Sequence, residues 1–308
     1  MASGRAAANL GQGPRLVKAY LALALAIAGI TWSAIFVRWA AVPGSASAFY
    51  RVLIAGAVLI PLRLVMGRQG PGSGAHGSSR PPPTATAAWL AVAGGVFFAL
   101  DVALWNTAVM RTHAAVASIL GNNTPFFVGM MTWLILRRRP QASFWVGLAL
   151  AMTGCVLIMS ADLRRGGGSL SGDLLALVAS VFFAAYLMTT ERIRASMDTL
   201  TFSALAIAGS IVTLFVICVA LGVPLTGYPP RTWLALCGLG LISQLMGYFG
   251  LVYALGHLPA TVTSVGLLAQ VPGTAILAML LLGEPLGGLQ IAGGAVVLAG
   301  IYVVNRGA

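Results

Sequence analysis

The chain has 308 residues, 59% of them hydrophobic and only 8% charged, with a formal net charge of +12. A soluble domain carries about 25% charged residues, so the deficit excludes a water-facing surface over most of the molecule and places it in a lipid bilayer. Nor does the positive charge indicate a nucleic-acid binder, because Lys and Arg are scattered over short connections between apolar runs and form no basic or aromatic stripe.

In lipid the backbone must satisfy its own hydrogen bonds, by helices or a closed barrel. Long apolar runs without two-residue alternation select helices. A span needs roughly 17 to 25 residues, and ten runs qualify: 19–40, 45–66, 87–109, 114–136, 142–160, 172–190, 200–221, 232–255, 260–282 and 287–304. The chain opens like a signal peptide, but the first apolar run continues to about Val37 and reads as an uncleaved helix behind a cytoplasmic tail, 1–18. That run holds Trp32, and Arg38 lies near its outer end, from which it can snorkel. The second run contains Arg51, its one well-internal basic residue. The connection 67–86 is rich in Gly, Ser and Pro and reads as a flexible loop.

The third run carries Asp101 and, four residues on, Trp105 on the same face. A charge at mid-membrane costs about 2.5 to 3.5 kcal/mol on insertion scales, which marks Asp101 as a site for a substrate amine or a proton. Its structural alternative is an ion pair with Arg51. Trp105 and Trp32 are stacking candidates for a flat or cationic solute, or packing residues. The fourth run holds "SILGNNTPFF", where Pro125 should break the helix and free a carbonyl near position 121. In the ninth run Pro272 is preceded by Gln270, as Pro125 is by Asn123. Each break thus has an amide beside it, able to donate and accept. Asn123 and Gln270 are expected to face one cavity, or else to bond neighbouring helices. Asn122, rotated by about 100°, is expected to matter less. Gln244 and Tyr248 share a face of the eighth run and are further candidates.

Other polar residues read as structure. Glu284 lies at a predicted outer helix end, and His113 and His257 at predicted helix starts. Gly94, Gly95 and the glycines of 287–300 suit close helix approach; no strand precedes them, so they form no nucleotide cradle. Cys155, Cys218 and Cys237 match no metal spacing. No cofactor or metal is expected.

The chain repeats itself. "WLAVAG" at Trp89 returns as "WLALCG" at Trp233; Ala108, Ala114, Val116 and Ser118 return at Ala254, Ala260, Val262 and Ser264. Pro125 returns as Pro272, and Gly147 and Gly154 return as Gly293 and Gly300. The units are 19–160 and 172–305, five helices each, and an odd number turns the second upside down. Such inverted repeats place a transporter's site near the midplane. With the N-terminus inside, twelve basic residues fall on inner segments (Arg5, Arg15, Lys18, Arg63, Arg68, Arg80, Arg137, Arg138, Arg139, Arg192, Arg194, Arg306) and four on outer ones (Arg111, Arg164, Arg165, Arg231). Both termini are therefore expected in the cytoplasm.

With "AFYR" entering the second helix, "GDLLALVASVFFAAYL" opening the second half and "LLLGEPLGGLQIAGGAVVLAGIYVV" closing it, residues 20–305 resemble the EamA-type members of the drug/metabolite transporter superfamily. In the first half Arg137 stands where the "GE" pattern would put glutamate. The resemblance implies an all-α protein of ten transmembrane helices with a central cavity for small metabolites. The expected activity is secondary transport, as an exporter of amino acids or drug-like solutes across the plasma membrane, with protons as a possible coupling ion. A channel is the alternative reading, though no charge ring or filter motif occurs. An intramembrane enzyme is disfavoured, because no HExxH, GxSxG or paired carboxylates occur.

Overall fold

The computed structural model describes residues 2–68, 83–111, 120–163, 169–282 and 287–307. These fold into helices: α1 Ala2–Thr31, α2 Ser33–Ala40, α3 Gly44–Arg68, α4 Ala85–Arg111, α5 Thr124–Leu134, α6 Ala142–Leu163, α7 Leu170–Arg194, α8 Thr199–Ala220 and α9 Pro230–Gly238. After α9 come a π-helical segment, Leu239–Tyr248, then α10 Phe249–Leu255 and α11 Ala260–Gly266. A 3₁₀ turn, Leu267–Ala269, leads into α12 Gln270–Leu282, and α13 is Gly288–Arg306. Several hydroxyls inside the bundle bond back to their own helices, as Thr107 does to Ala103 and Thr190 to Tyr186, both at 2.7 Å, so these two carry no unmet polar group into lipid. The outer faces stay apolar: Leu234 is 78% exposed and Leu280 68%, as lipid contact permits.

Among the described residues nine helices are long and apolar enough to cross a membrane. The fourth expected span, 114–136, is not a continuous helix in the described part: α5 is 11 residues long and is preceded by a turn at Asn122–Asn123. Residues 112–119 lie outside the described residues, and with them His113. So do most of the 67–86 loop, Arg164–Arg165 and Glu284.

Glycines set the closest crossings. A Cβ on Gly147 would sit 2.5 Å from the Gly300 carbonyl, and one on Gly300 would sit 2.5 Å from the Gly147 carbonyl. Gly154 and Gly293 meet the same way, at 2.6 and 2.7 Å. The low-numbered end of α6 therefore meets the high-numbered end of α13, so the two helices run antiparallel. They are repeat equivalents, Gly147 with Gly293 and Gly154 with Gly300. Equivalent helices running oppositely make the two units inverted, as the sequence predicted. The contact exchanges with itself when the units are swapped, which is a two-fold relation.

Polar contacts sort the ends into two faces. On one, Tyr20 Oη donates to Asn305 Oδ1 at 3.1 Å, the start of α6 adjoins Gly307, and Arg63 Nε donates to Thr201 Oγ1 at 2.6 Å. Glu191 accepts from the Ala260 amide at 3.1 Å there, within electrostatic reach of Arg138. On the other face, Thr232 Oγ1 donates to the Ala40 carbonyl at 2.9 Å and Asn106 Nδ2 to the Gly44 carbonyl at 2.7 Å. Arg194, counted as an inner charge, is not a loop residue: it is buried, with Nε on the Val252 carbonyl at 3.1 Å and Nη1 on that of Met197. His257 follows α10 and is exposed, not at a helix start. Cys155 and Cys218 are buried and Cys237 exposed, all as free thiols.

Candidate functional site

Both predicted breaks form, and at the first the freed backbone group is met. Before Pro125 the chain turns at Asn122–Asn123, and the Gly121 carbonyl accepts from Thr124 Oγ1 at 3.1 Å. The carbonyl of Asn123 takes over as acceptor for the Phe126 amide at 3.0 Å. Before Pro272 the helix tightens to the 3₁₀ turn Leu267–Ala269, then resumes at Gln270. Here Thr274 Oγ1 donates to the Thr31 carbonyl at 3.3 Å, where α1 itself breaks at Trp32. A Cβ on Gly273 would lie 3.0 Å from Thr31 Oγ1, so that break and the end of α1 are in close contact.

The breaks of the two halves meet through one bond. Gln270 Nε2 donates to Asn122 Oδ1 at 3.2 Å. The residue opposite Gln270 is thus Asn122, where Asn123 was expected. Asn123 instead occupies the position before α5 and serves that helix through its backbone. A turn between the two asparagines resets the helical phase, so counting about 100° per residue across it gives the wrong face. Trp105 stands beside this junction: a Cβ on Gly121 would be 2.8 Å from its indole Cδ1 and Nε1.

A second group lies one to two turns along α4. Arg51 is 6% exposed, with its guanidinium carbon 5.9 Å from the Phe98 ring centre and 5.2 Å from that of Tyr248. Its Nη1 donates to Ser33 Oγ at 3.4 Å, beside the α1–α2 break; Nε and Nη2 make no well-aligned hydrogen bond, with the Tyr248 hydroxyl close enough to interact. Asp101 is within electrostatic reach of Arg51 but takes none of its hydrogen bonds. The expected ion pair is therefore a longer-range attraction in this structure. Phe98, Asp101 and Trp105, spaced by three and four, share a face of α4 and connect the Arg51 group to the Asn122–Gln270 junction. Trp32 stacks on Phe36, with ring centres 5.6 Å apart.

Gln244 and Tyr248 fall on the π-helical segment and line a cavity with Phe98, Tyr186, Ser203 and Ile207. Its free volume is about 20 Å³, room for about one water. Gln244 Oε1 and Ser203 Oγ are buried without partners. No group of three potential metal ligands occurs among the described residues. Phe98, Ser33, Ser203 and Asn122 were missed or discounted in the sequence. For Phe98 the signal was available, three residues before Asp101. For Ser33 and Ser203 there was none, because only folding brings them to the group.

The same two-unit pattern appears in comparison with known proteins. The EamA-like transporter family matches residues 17–160 and 170–306, one match per unit. The uncharacterized transporter YwfM of Bacillus subtilis is 27% identical over 210 residues, which span 66% of this chain and 68% of that protein. An uncharacterized transporter of Archaeoglobus fulgidus is 31% identical over 213 residues, 65% of this chain and 71% of that one. A protein solved by crystallography superposes with a TM-score of 0.76 over 94% of this chain and 96% of its own, at 19% identity, and so shares the fold. Two family matches covering both halves of a bundle whose equivalent helices run antiparallel leave one assignment: the chain is a membrane transporter of the EamA-like family.

Proposed function

We propose that the protein is a gradient-driven carrier of small organic solutes, working as an exporter, in which the two units rock about the junction of Asn122 and Gln270. The observation that carries this reading is the bond between them at 3.2 Å, which joins two helix breaks, one from each unit. Broken helices in corresponding positions of inverted halves are where such carriers bind their cargo. Bending there costs little, because Thr124 already meets the freed carbonyl. Asp101 serves as the proton or amine site, between the junction and Arg51.

Counter-flow in proteoliposomes tests the reading. A carrier exchanges labelled solute for unlabelled solute trapped inside. Leakage without exchange would make it a channel, and chemical change of the solute an enzyme. Everted vesicles that fail to accumulate a solute which right-side-out vesicles take up would overturn export. Asp101→Asn should abolish accumulation driven by a proton gradient while the protein still folds; unchanged accumulation would remove Asp101 from the coupling.

A further inference from the structure

A guanidinium carries five N–H donors in a rigid fork. Arg51 sits seven residues into α3, about 10 Å along the helix, enclosed and out of reach of water. Its Nη1 is used, weakly, by Ser33. Its Nε and Nη2 make no well-aligned hydrogen bond, although the Tyr248 hydroxyl lies close enough to interact with the guanidinium. These two nitrogens share one edge of the plane, and their N–H bonds run parallel. That edge is the one a carboxylate takes with two hydrogen bonds. Donors left unpaired in a bilayer protein are costly, so a buried edge of this kind points to a partner that is present in another state of the cycle. Asp101 is near but does not fill it.

Taking the carrier reading as given, we propose that the Nε–Nη2 edge of Arg51 binds the carboxylate of the transported solute, a monocarboxylate whose apolar body lies along Phe98 and Tyr248. The two rings flank the guanidinium at 5.9 and 5.2 Å and also wall the cavity beside it. Leu59, Ile207 and Phe249 add apolar wall, and Ser203, Ser210 and Gln244 add polar groups. The Gln244 amide oxygen, buried and unpartnered, accepts from a donor on the solute. Asp101 sets the charge limit: its carboxylate repels a second negative charge, so dianions are excluded. The cavity now admits about one water, and a solute enters as the units part.

Thermal unfolding of the purified protein tests this with matched probes: acetate, phenylacetate and indole-3-acetate, each against its own neutral amide, with succinate and inorganic phosphate as further anions. At least one carboxylate should raise the melting temperature saturably while its amide does not, and succinate should have no effect. Arg51→Gln should abolish the response. Arg51→Lys, which keeps charge but lacks the planar fork, should raise the half-saturating concentration about tenfold or more. Without ligand, both variants should still unfold cooperatively, which separates loss of the site from loss of the fold. Acid and amide acting alike in every pair, or a carboxylate response that survives in Arg51→Gln, would overturn the assignment. So would an equal response to phosphate that Arg51→Gln also abolishes, since that marks a general oxyanion site. Counter-flow separates this failure from failure of the carrier reading: exchange of neutral solutes leaves the carrier standing without the carboxylate site, and binding without exchange of any solute leaves the site without the carrier.

Discussion

At the scale of single residues, the polar groups at the membrane faces are held by specific bonds. Asp198 precedes α8 and its side chain accepts from the Thr201 amide at 2.9 Å. Burial alone would raise its carboxyl, but the bonds from Thr201 and the nearby Arg63 hold it below the ordinary carboxylate value. Its folded value is therefore depressed, so the cap contributes stability above the unfolded carboxyl's pKa and loses it as pH falls through the folded one. Asp198→Ala should cost about 1 kcal/mol at neutral pH, and the difference in melting temperature from the parent should close on acidification; a constant difference would assign the loss to packing. Arg194 is the buried counterpart. Replacing it with Ala leaves the Val252 and Met197 carbonyls without its donors, and each unmet group costs about 1 to 3 kcal/mol. The melting temperature should fall well below that of Arg192→Ala, whose side chain is exposed. The sequence holds Asp198 just before an apolar run, a favoured cap type that was not singled out there. It gave Arg194 away only as a charge near a helix end, since what a guanidinium bonds to is a matter of tertiary neighbours.

At the scale of elements, small residues and breaks do the positioning. A Cβ on Gly95 would fall 1.8 Å from the Ala206 carbonyl oxygen, whereas one on the adjacent Gly94 meets nothing nearer than 3.5 Å. Gly95→Ala must push α4 from α8 and should destabilise by about 1 to 3 kcal/mol or more, while Gly94→Ala should fold like the parent. Equal melting temperatures for the two would show that the helices slide freely. The breaks at Pro125 and Pro272 were legible, because proline's missing donor acts locally. The partner across the junction was not. If Asn122 and Gln270 act as one unit, Asn122→Leu and Gln270→Leu should each raise the half-saturating solute concentration, and the double change should raise it no more than the larger single one. Asn123→Leu should have the smaller effect. Full additivity would separate the pair. The π-helical segment had no signal in the pattern; its ten residues, Leu239–Tyr248, are apolar in a way an α-helix would equally accept.

At the scale of the whole molecule, charge is sided. Lys18, Arg63, Arg137, Arg138, Arg139, Arg192 and Arg306 gather at one face, with Arg38, Arg111 and Arg231 at the other. The positive-inside rule leads us to expect the richer face in the cytoplasm. In a Cys237→Ser background, which removes the exposed thiol, a cysteine at Arg138 should be labelled only after the membrane is breached. One at Arg231 should react in intact cells. The reverse result would invert the molecule and with it the direction of transport.

Sequence by itself determined what local chemistry and composition control: a helical membrane chain, because lipid leaves the backbone no other partner; two like units, because the repeat is written in residue order; and the breaks at the two prolines. It also marked Asp101 and Arg51, since an ionisable group within a span is costly wherever it points. Tertiary structure alone decided which groups meet. It put Asn122 against Gln270, set Phe98 and Tyr248 about Arg51, and left Asp101 without a hydrogen bond to it. Those contacts join residues up to about two hundred positions apart, and their geometry is fixed by how closely glycine-lined helices cross, a property of paired surfaces that no single run of sequence contains.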